Sequence, residues 1–266
     1  MGFFKKLTNG FIKVFGDIKV FKWPFFLVYD PGSYLVKGYE MREVLDVLQP
    51  GDILLRGYNN YLDGYFIPGY FSHVGLYVGE VRPEDEALVT IPEGNDLFYT
   101  GKQMVVHAMA EGVFVQDVLD FCRADRMLIV RFLETFESTE KLQEKDVPYS
   151  SFTELEKEQF AKLNDDHKIR FAEVFPLVFK LALSQVGKKY DFGFDFKNYN
   201  NLSCTEFLYF CIKSLEGFHR LKPTEKKFFF YNKTVVVPDA FVCQSFPIIW
   251  KSRSVKEAKI DTMFTI

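Results

Sequence analysis

The sequence contains few residues of the kinds that form metal sites or disulfide frameworks. Its 266 residues include four cysteines and four histidines. The cysteines at positions 122, 204, 211 and 243 form no Cys-x-x-Cys pair. This spacing predicts neither a zinc site nor a set of disulfides, so we expect reduced thiols and no metal or organic cofactor.

The chain also lacks an excess of positive charge. Its 33 lysines and arginines are balanced by 36 aspartates and glutamates, which gives a formal net charge of −3. Proteins that bind DNA or RNA normally present a basic field to the phosphates. The composition therefore predicts no nucleic-acid partner.

No apolar run is long enough to cross a membrane. A spanning helix needs roughly 20 apolar residues, and charged residues interrupt every run well before that length. Lysines at positions 5 and 6 resemble the start of a signal peptide. Further charged residues at positions 13, 17, 19 and 22 interrupt the apolar run that a signal peptide requires. We expect a cytoplasmic protein.

Residues 1–38 are interpreted as an amphipathic extension. Apolar residues recur in steps of three and four, which predicts a helix through Phe4, Leu7, Phe11, Phe15 and Ile18. Lysines lie mainly off that stripe. Two interpretations remain open: the helix packs on the body of the protein, or residues 1–22 lie on an anionic membrane surface as a peripheral contact.

From about residue 49 the pattern changes from helical to extended. We expect strands in DILLRG, HVGLYVGEV, MVVHAMA, VFVQDV, RMLIVRFL and KTVVVP, and helices in TELEKEQFAKL, FPLVFKLALSQV and SCTEFLYFCIKSLEG. The intervals between strands are too short for helical crossovers. The sequence therefore predicts an α+β fold with a mostly antiparallel, curled sheet. Residues 134–172 are polar and are interpreted as a surface insertion.

Cys204 lies where a cysteine is predicted to be reactive. Ser203 is the predicted N-cap of a helix, so Cys204 occupies its first turn. Unpaired backbone N–H groups and the positive end of the helix dipole favour the thiolate, which is the nucleophilic form. Cys211 falls two turns deeper and is predicted to be a packed, inert thiol.

Two histidines are candidates for the base that such a nucleophile requires. His73 begins a predicted strand, and His107 lies on a predicted neighbouring strand, so their rings are expected to meet across the sheet. His167 and His219 are expected at the surface. The structural alternative is that His73 and Cys204 are ordinary buried residues.

Six short motifs together resemble one family. They are LQPGDILLRG, FSHVGLYVGE, MVVHAMAEGVFVQDVLDF, KKYDFGFDF, SCTEFLYF and VVVPDAF. In this order they are similar to the permuted papain-like amidases of the YiiX and YaeF type, within the NlpC superfamily. The resemblance runs from about residue 49 to residue 250. It implies a circularly permuted papain-like domain, which we assign to residues 39–266, with the nucleophile at a helix N-terminus.

The resemblance also implies the roles of individual residues. Cys204 is the nucleophile, His73 its base and His107 the third member of the triad, where relatives often carry glutamate. Glu111, close by at a predicted turn, is the alternative third member. Tyr190 matches the family's Tyr-Asp motif and is expected either in the substrate cleft or packed under the Cys204 helix.

The resulting interpretation is a cysteine-dependent hydrolase that cleaves an amide bond through an acyl-enzyme. A small peptide or amide is the expected substrate, and cell-wall peptides are one source of it. A lipid-directed thiol acyltransferase or esterase is the first alternative, because the aromatic loop before His73 and the amphipathic N-terminus could meet an acyl chain. The second alternative is a catalytically silent binding module of the same fold.

Overall fold

The predicted α+β class is the class observed. A computed structural model describes the backbone at 18–21 and 26–29. It also describes residues 34–59, 69–89, 97–137, 143–147, 149–165, 168–194, 196, 199–215, 221–228 and 231–264.

Twelve strands are described. They are β1 Ile18–Phe21, β2 Phe26–Tyr29, β3 Ile53–Gly57, β4 His73–Val81, β5 Gly101–Met109, β6 Gly112–Asp117, β7 Arg126–Val130, β8 Thr135–Glu137, β9 Lys168–Arg170, β10 Thr224–Phe228, β11 Tyr231–Val235 and β12 Ile248–Lys251. The α-helices of the described residues are α1 Gly38–Val47, α2 Val118–Phe121, α3 Glu154–Asp165, α4 Phe171–Ser184, α5 Cys204–Ile212 and α6 Glu257–Met263.

Six of these strands form one antiparallel sheet in the order β12-β7-β3-β4-β5-β6. Successive residues of a strand point to opposite faces, and the sheet is covered on both of them. Ile53 and Leu55 join a core with α4 and α5, whereas Leu54 joins a second core with α1 and α2. Burial on both faces explains why DILLRG reads as a continuous apolar run.

The N-terminal prediction is wrong for Ile18–Phe21. These residues form a strand that pairs antiparallel with Phe26–Tyr29, so Ile18 does not continue a helix. The β-branched residues Ile18 and Val20 favour an extended backbone, and Pro24 cannot continue a helix that enters it. The rest of the predicted helix, residues 1–17, lies outside the described residues, as do most of the aromatic loop (60–68), His167 and His219. Within the described ranges, no helix has the length and apolar character needed to cross a membrane.

The polar stretch 134–172 contributes to the core. It contains the short β8–β9 ladder and the predicted helix, α3, which packs on α4. Leu163 and Ile169 are buried in the same core as α4 and α5, and Phe160 is buried as well. A few apolar residues, spaced by the helix period, are enough to anchor an otherwise polar segment.

The Gly51-Asp52 turn that leads into β3 is held by one carboxylate. Asp52 is buried, and its two oxygens accept hydrogen bonds from the Arg131 guanidinium at 2.7 and 2.8 Å. The same carboxylate accepts the N–H of Gln49 at 2.8 Å. Bidentate pairs of this kind fix geometry as well as charge. Asp52 therefore anchors β3 to β7 at the edge where the chain enters the sheet.

Replacing Asp52 with alanine is expected to lower the free energy of unfolding by about 2–3 kcal/mol, because Arg131 and the Gln49 N–H lose their acceptor. Urea unfolding measures the change. Glu173→Ala is the control, since it removes the carboxylate of an exposed ion pair with Arg170 and is expected to cost much less. An equal loss of stability in the two variants would contradict this account of Asp52.

Candidate active site

Cys204 is the first residue of α5, as predicted. The Ser203 hydroxyl accepts the N–H of Glu206, and the Glu206 carboxylate accepts the N–H of Ser203 at 2.8 Å. This reciprocal capping box satisfies two of the backbone donors that a helix N-terminus leaves open. It fixes the first turn of the helix and hence the position of the thiol.

The thiol lies where the ladder between β4 and β5 ends. That ladder extends to the Leu76–Val106 pair, and α5 packs against both strands. Val74 lies beyond the last pair and donates its backbone N–H to Cys204 Sγ. This hydrogen bond places the Cys204 thiol beside Val74, the residue that follows His73 in β4.

His73 and His107 are hydrogen-bonded to each other. The distance between His73 Nε2 and His107 Nδ1 is 2.9 Å, and the rings are nearly perpendicular at 83°. His107 Nε2 lies 2.9 Å from Gln116 Oε1. The predicted meeting of the two rings across β4 and β5 is observed.

This chain of hydrogen bonds fixes the tautomers of both neutral rings. Gln116 Oε1 can only accept, so His107 Nε2 carries the proton that it donates. His107 Nδ1 is then an acceptor, and His73 Nε2 must donate to it. The remaining nitrogen of His73, Nδ1, holds a lone pair and is the site at which this ring can take up a proton.

Burial sets the charge state of all three groups. His73 and His107 are 8% and 0% exposed, and removal from water lowers the pKa of both imidazoles well below the usual value. Cys204 is 2% exposed, and burial raises the pKa of its thiol to about 11. The N–H groups of Val74 and Thr205 act in the opposite direction on that pKa but do not overcome desolvation.

The expectation of a thiolate at the helix N-terminus is therefore not met in this structure. The helix geometry is as predicted, but a cysteine so deeply buried keeps its proton at neutral pH. The structure contains a protonated thiol, which accepts the N–H of the residue after His73, and a neutral imidazole pair.

A small cavity adjoins the thiol. Its volume is about 10 Å³, roughly the space of one water molecule. Its walls are mostly apolar and come from residues Phe194, Cys204, Thr205, Val235, Val236, Val237 and Pro238. The cavity is too small for any molecule much larger than water.

Asp239 ties one cavity wall to the segment before His73. Its carboxylate accepts the N–H of Tyr70 at 2.6 Å and that of Phe71 at 2.8 Å. Asp239 directly follows Pro238, a wall residue, so the wall and the lead-in to β4 are held together. The Pro-Asp motif of the sequence therefore has a structural role.

Tyr190 is half-buried and packs against the core that contains α5. Its ring lies 5.9 Å from that of Phe194, which lines the cavity, but Tyr190 is not itself among the lining residues. Tyr190 thus contacts a residue that lines the thiol cavity, Phe194, but does not reach the cavity itself.

Gln116 was not predicted from the sequence, although a signal for it exists. The turn at Ala110-Glu111 sets the register of the β5–β6 hairpin, in which Val105 pairs with Gln116 and His107 with Phe114. Diagonal neighbours on one face can touch. Counting from the turn would have placed Gln116 diagonally opposite His107.

Among the described residues, no group of three or more His, Cys, Asp or Glu side chains is arranged to hold a metal ion.

Comparison with known proteins gives a match to one family model over part of the chain. Residues 47–158 match the model of the permuted papain-like amidase enzymes YaeF/YiiX, family C92. This range includes His73 and His107 and ends before Cys204. The match confirms the resemblance seen in the motifs and, with it, the fold class.

A solved structure is also similar to this chain. It is the crystal structure of the metalloprotein YiiX from Escherichia coli O157:H7, with 15% identity and a TM-score of 0.44. The alignment covers 77% of this chain and 98% of that one. No curated protein sequence matches significantly.

Alkylation of the native protein by iodoacetamide tests the state of the thiol. Because burial raises the pKa of Cys204 to about 11, its labelling rate should rise steadily with pH between about pH 7 and pH 10, close to tenfold per unit. Peptide mapping identifies the labelled cysteine, with Cys204→Ser as the control. A rate that reaches a plateau below about pH 8 would show a stabilised thiolate and contradict the prediction.

Proposed function

With residues 47–158 matching the permuted papain-like amidases, we propose that this protein is a cysteine-dependent amidase in which Cys204, His73 and His107 form the catalytic triad. The observation that supports it best is the convergence of three elements. The capped start of α5 carries Cys204, the first residue of β4 carries His73, and β5 carries His107 within hydrogen-bonding distance of it.

His73 acts as the general base because its Nδ1 is the free acceptor of the hydrogen-bonded chain. As Cys204 attacks the carbonyl carbon of the substrate, the proton of its thiol passes to His73 Nδ1. Concerted transfer suits the raised pKa of Cys204 and the lowered pKa of His73, since neither group is charged before the reaction. The imidazolium then protonates the leaving amine as the C–N bond breaks.

The acyl group remains on Cys204 as a thioester. Water attacks it with His73 as the base, which releases the acid and restores the thiol. The oxyanion of each tetrahedral intermediate is stabilised by the backbone N–H of Cys204, which lies in the first turn of α5 and has no intrahelical acceptor. His107 orients the imidazole and is itself held by Gln116.

Amides are the favoured substrates because the matching family consists of amidases. Small peptide amides, including those of cell walls, have the chemistry that this triad requires. A lipid ester or acyl donor is the second candidate, and the walls beside the thiol favour it. Phe194 and the valines at 235–237 would contact an acyl chain once the cavity opens.

Cys204→Ala is expected to lower hydrolysis at least about a thousandfold while leaving the fold intact, because the nucleophile is lost. The purified variant is assayed against a panel of cell-wall peptides and lipid esters. Cys243→Ala, which removes a half-buried thiol on a different element, is the control and should retain activity. Retained turnover in Cys204→Ala would exclude this cysteine as the nucleophile.

The third triad member is tested by three variants. His107→Ala is expected to lower kcat by about 10²–10⁴-fold with little change in KM, because His73 loses its orienting partner. His107→Glu should recover part of the loss, since a carboxylate also orients imidazolium. Glu111→Ala should have a minor effect, because Glu111 is exposed at the hairpin turn. A larger loss in Glu111→Ala than in His107→Ala, with equally folded proteins, would overturn the assignment.

A further inference from the structure

Arg56 is a buried cation on the strand next to His73. It is 3% exposed, and its register partner across β3 and β4 is His73. Paired residues of neighbouring strands project from the same face of the sheet. The guanidinium and the imidazole of His73 therefore lie on one face.

No counter-ion accompanies this cation among the described residues. Its Nη1 donates to the backbone oxygen of Phe121 at 3.1 Å, and its Nη2 contacts Met109 Sδ at 3.0 Å. Its Nε is buried without a hydrogen-bond partner. A buried charge without an ion pair is costly, so its retention calls for a physical reason.

One aromatic ring brings the arginine and both histidines together. The guanidinium carbon lies 4.3 Å from the centroid of the Phe121 ring. The rings of His73 and His107 lie 5.6 and 5.2 Å from the same centroid. Attraction to the ring face partly offsets the desolvation of the guanidinium.

Other titratable groups face this cluster from the surrounding elements. Cys122 ends α2 and has a pKa that burial raises to about 12, so it stays neutral. Cys204, the first residue of α5, lies within the field of the Arg56 charge, whereas Asp117, the N-cap of α2, is exposed and its carboxylate accepts the N–H of Leu119. Arg56 is therefore the charged group that acts on both His73 and His107. Its positive charge disfavours a proton on either imidazole.

We propose that Arg56 is a positioning residue of the active site, whose buried guanidinium acts together with burial to keep His73 and His107 uncharged, so that His73 is able to accept the proton of Cys204. The catalytic consequence rests on the proposed function, whereas the effect on the two histidines does not. The same cation favours the thiolate that forms when the proton leaves Cys204. Arg56 thus keeps His73 in its acceptor form before the reaction and stabilises the thiolate once the proton has left, while it disfavours the imidazolium that the transfer forms.

Histidine titration by NMR tests the proposal without a substrate. In the native protein, the imidazole signals of His73 and His107, assigned with His73→Gln and His107→Gln variants, are expected to remain those of neutral rings from pH 8 down to about pH 5. Titration of both rings near the ordinary value of about 6.5 would overturn the proposal.

Arg56→Met removes the charge and retains an apolar stem of similar length, so the titration of the pair should move up by about one pH unit or more. Arg56→Lys keeps the charge and should preserve the native titration. Arg123→Met, which removes an exposed cation two residues after Phe121, is the control and should change nothing. Equal shifts in Arg56→Met and Arg56→Lys would show that packing rather than charge is responsible and would overturn the proposal.

Kinetics then connects the charge to catalysis. In Arg56→Met, the acid limb of the kcat/KM profile should move to higher pH by the shift that NMR measures, and Arg56→Lys should restore it. An unmoved limb despite an NMR shift would separate Arg56 from the reaction. Absence of turnover in the native protein would count against the proposed function, while the NMR result would still decide the role of Arg56. If Arg56→Met does not fold, Arg56→Gln, which also removes the charge but keeps a polar end group, takes its place in both measurements, with the same expected shift and the same contradicting result.

Discussion

The hydrogen bond between His73 and His107 lies in a part of the sheet from which water is almost excluded. The protonation states of the site residues follow from this burial. In water, two imidazoles near neutral pH would be partly charged and would exchange partners freely. Here burial keeps both rings neutral, and Gln116 then determines which nitrogen carries each proton. The same burial keeps the Cys204 thiol protonated. The two imidazoles and the thiol are therefore all uncharged at neutral pH.

Three carboxylates hold this arrangement in place by accepting backbone N–H groups. Asp52 fixes the entry to β3, Asp239 fixes the residues just before His73, and Glu206 closes the first turn of α5. Each carboxylate belongs to a sequence motif that resembles the amidase family. Bonds from N–H groups to a buried carboxylate are stronger than those between neutral groups, so short motifs are sufficient to position distant parts of the chain. They fix the entry to β3, the residues before β4 and the start of α5, three places that are far apart in sequence.

The sequence predicts most of the elements and the meeting of His73 with His107, because both depend on local patterns and strand order. Alternation marks β5 and β6, the Ser203 cap marks the start of α5, and the hairpin turn pairs β5 with β6. Local patterns do not report burial or register, so Arg56 and Gln116 were missed and the thiolate was expected. The helix predicted from apolar spacing is also wrong at Ile18, which begins a strand. A stripe of period near 3.6 fixes a structure only when the tertiary context permits a helix.

Peptide mapping after reaction with an activated ester is the most direct test that Cys204 is a nucleophile served by His73. The protein is incubated with a p-nitrophenyl ester, quenched in acid and analysed by mass spectrometry, beside a His73→Ala variant that retains the thiol. The account predicts an acyl group on Cys204 in the native protein and much slower acylation in the variant. Acylation of a different residue, or equally fast acylation of Cys204 without His73, would contradict it.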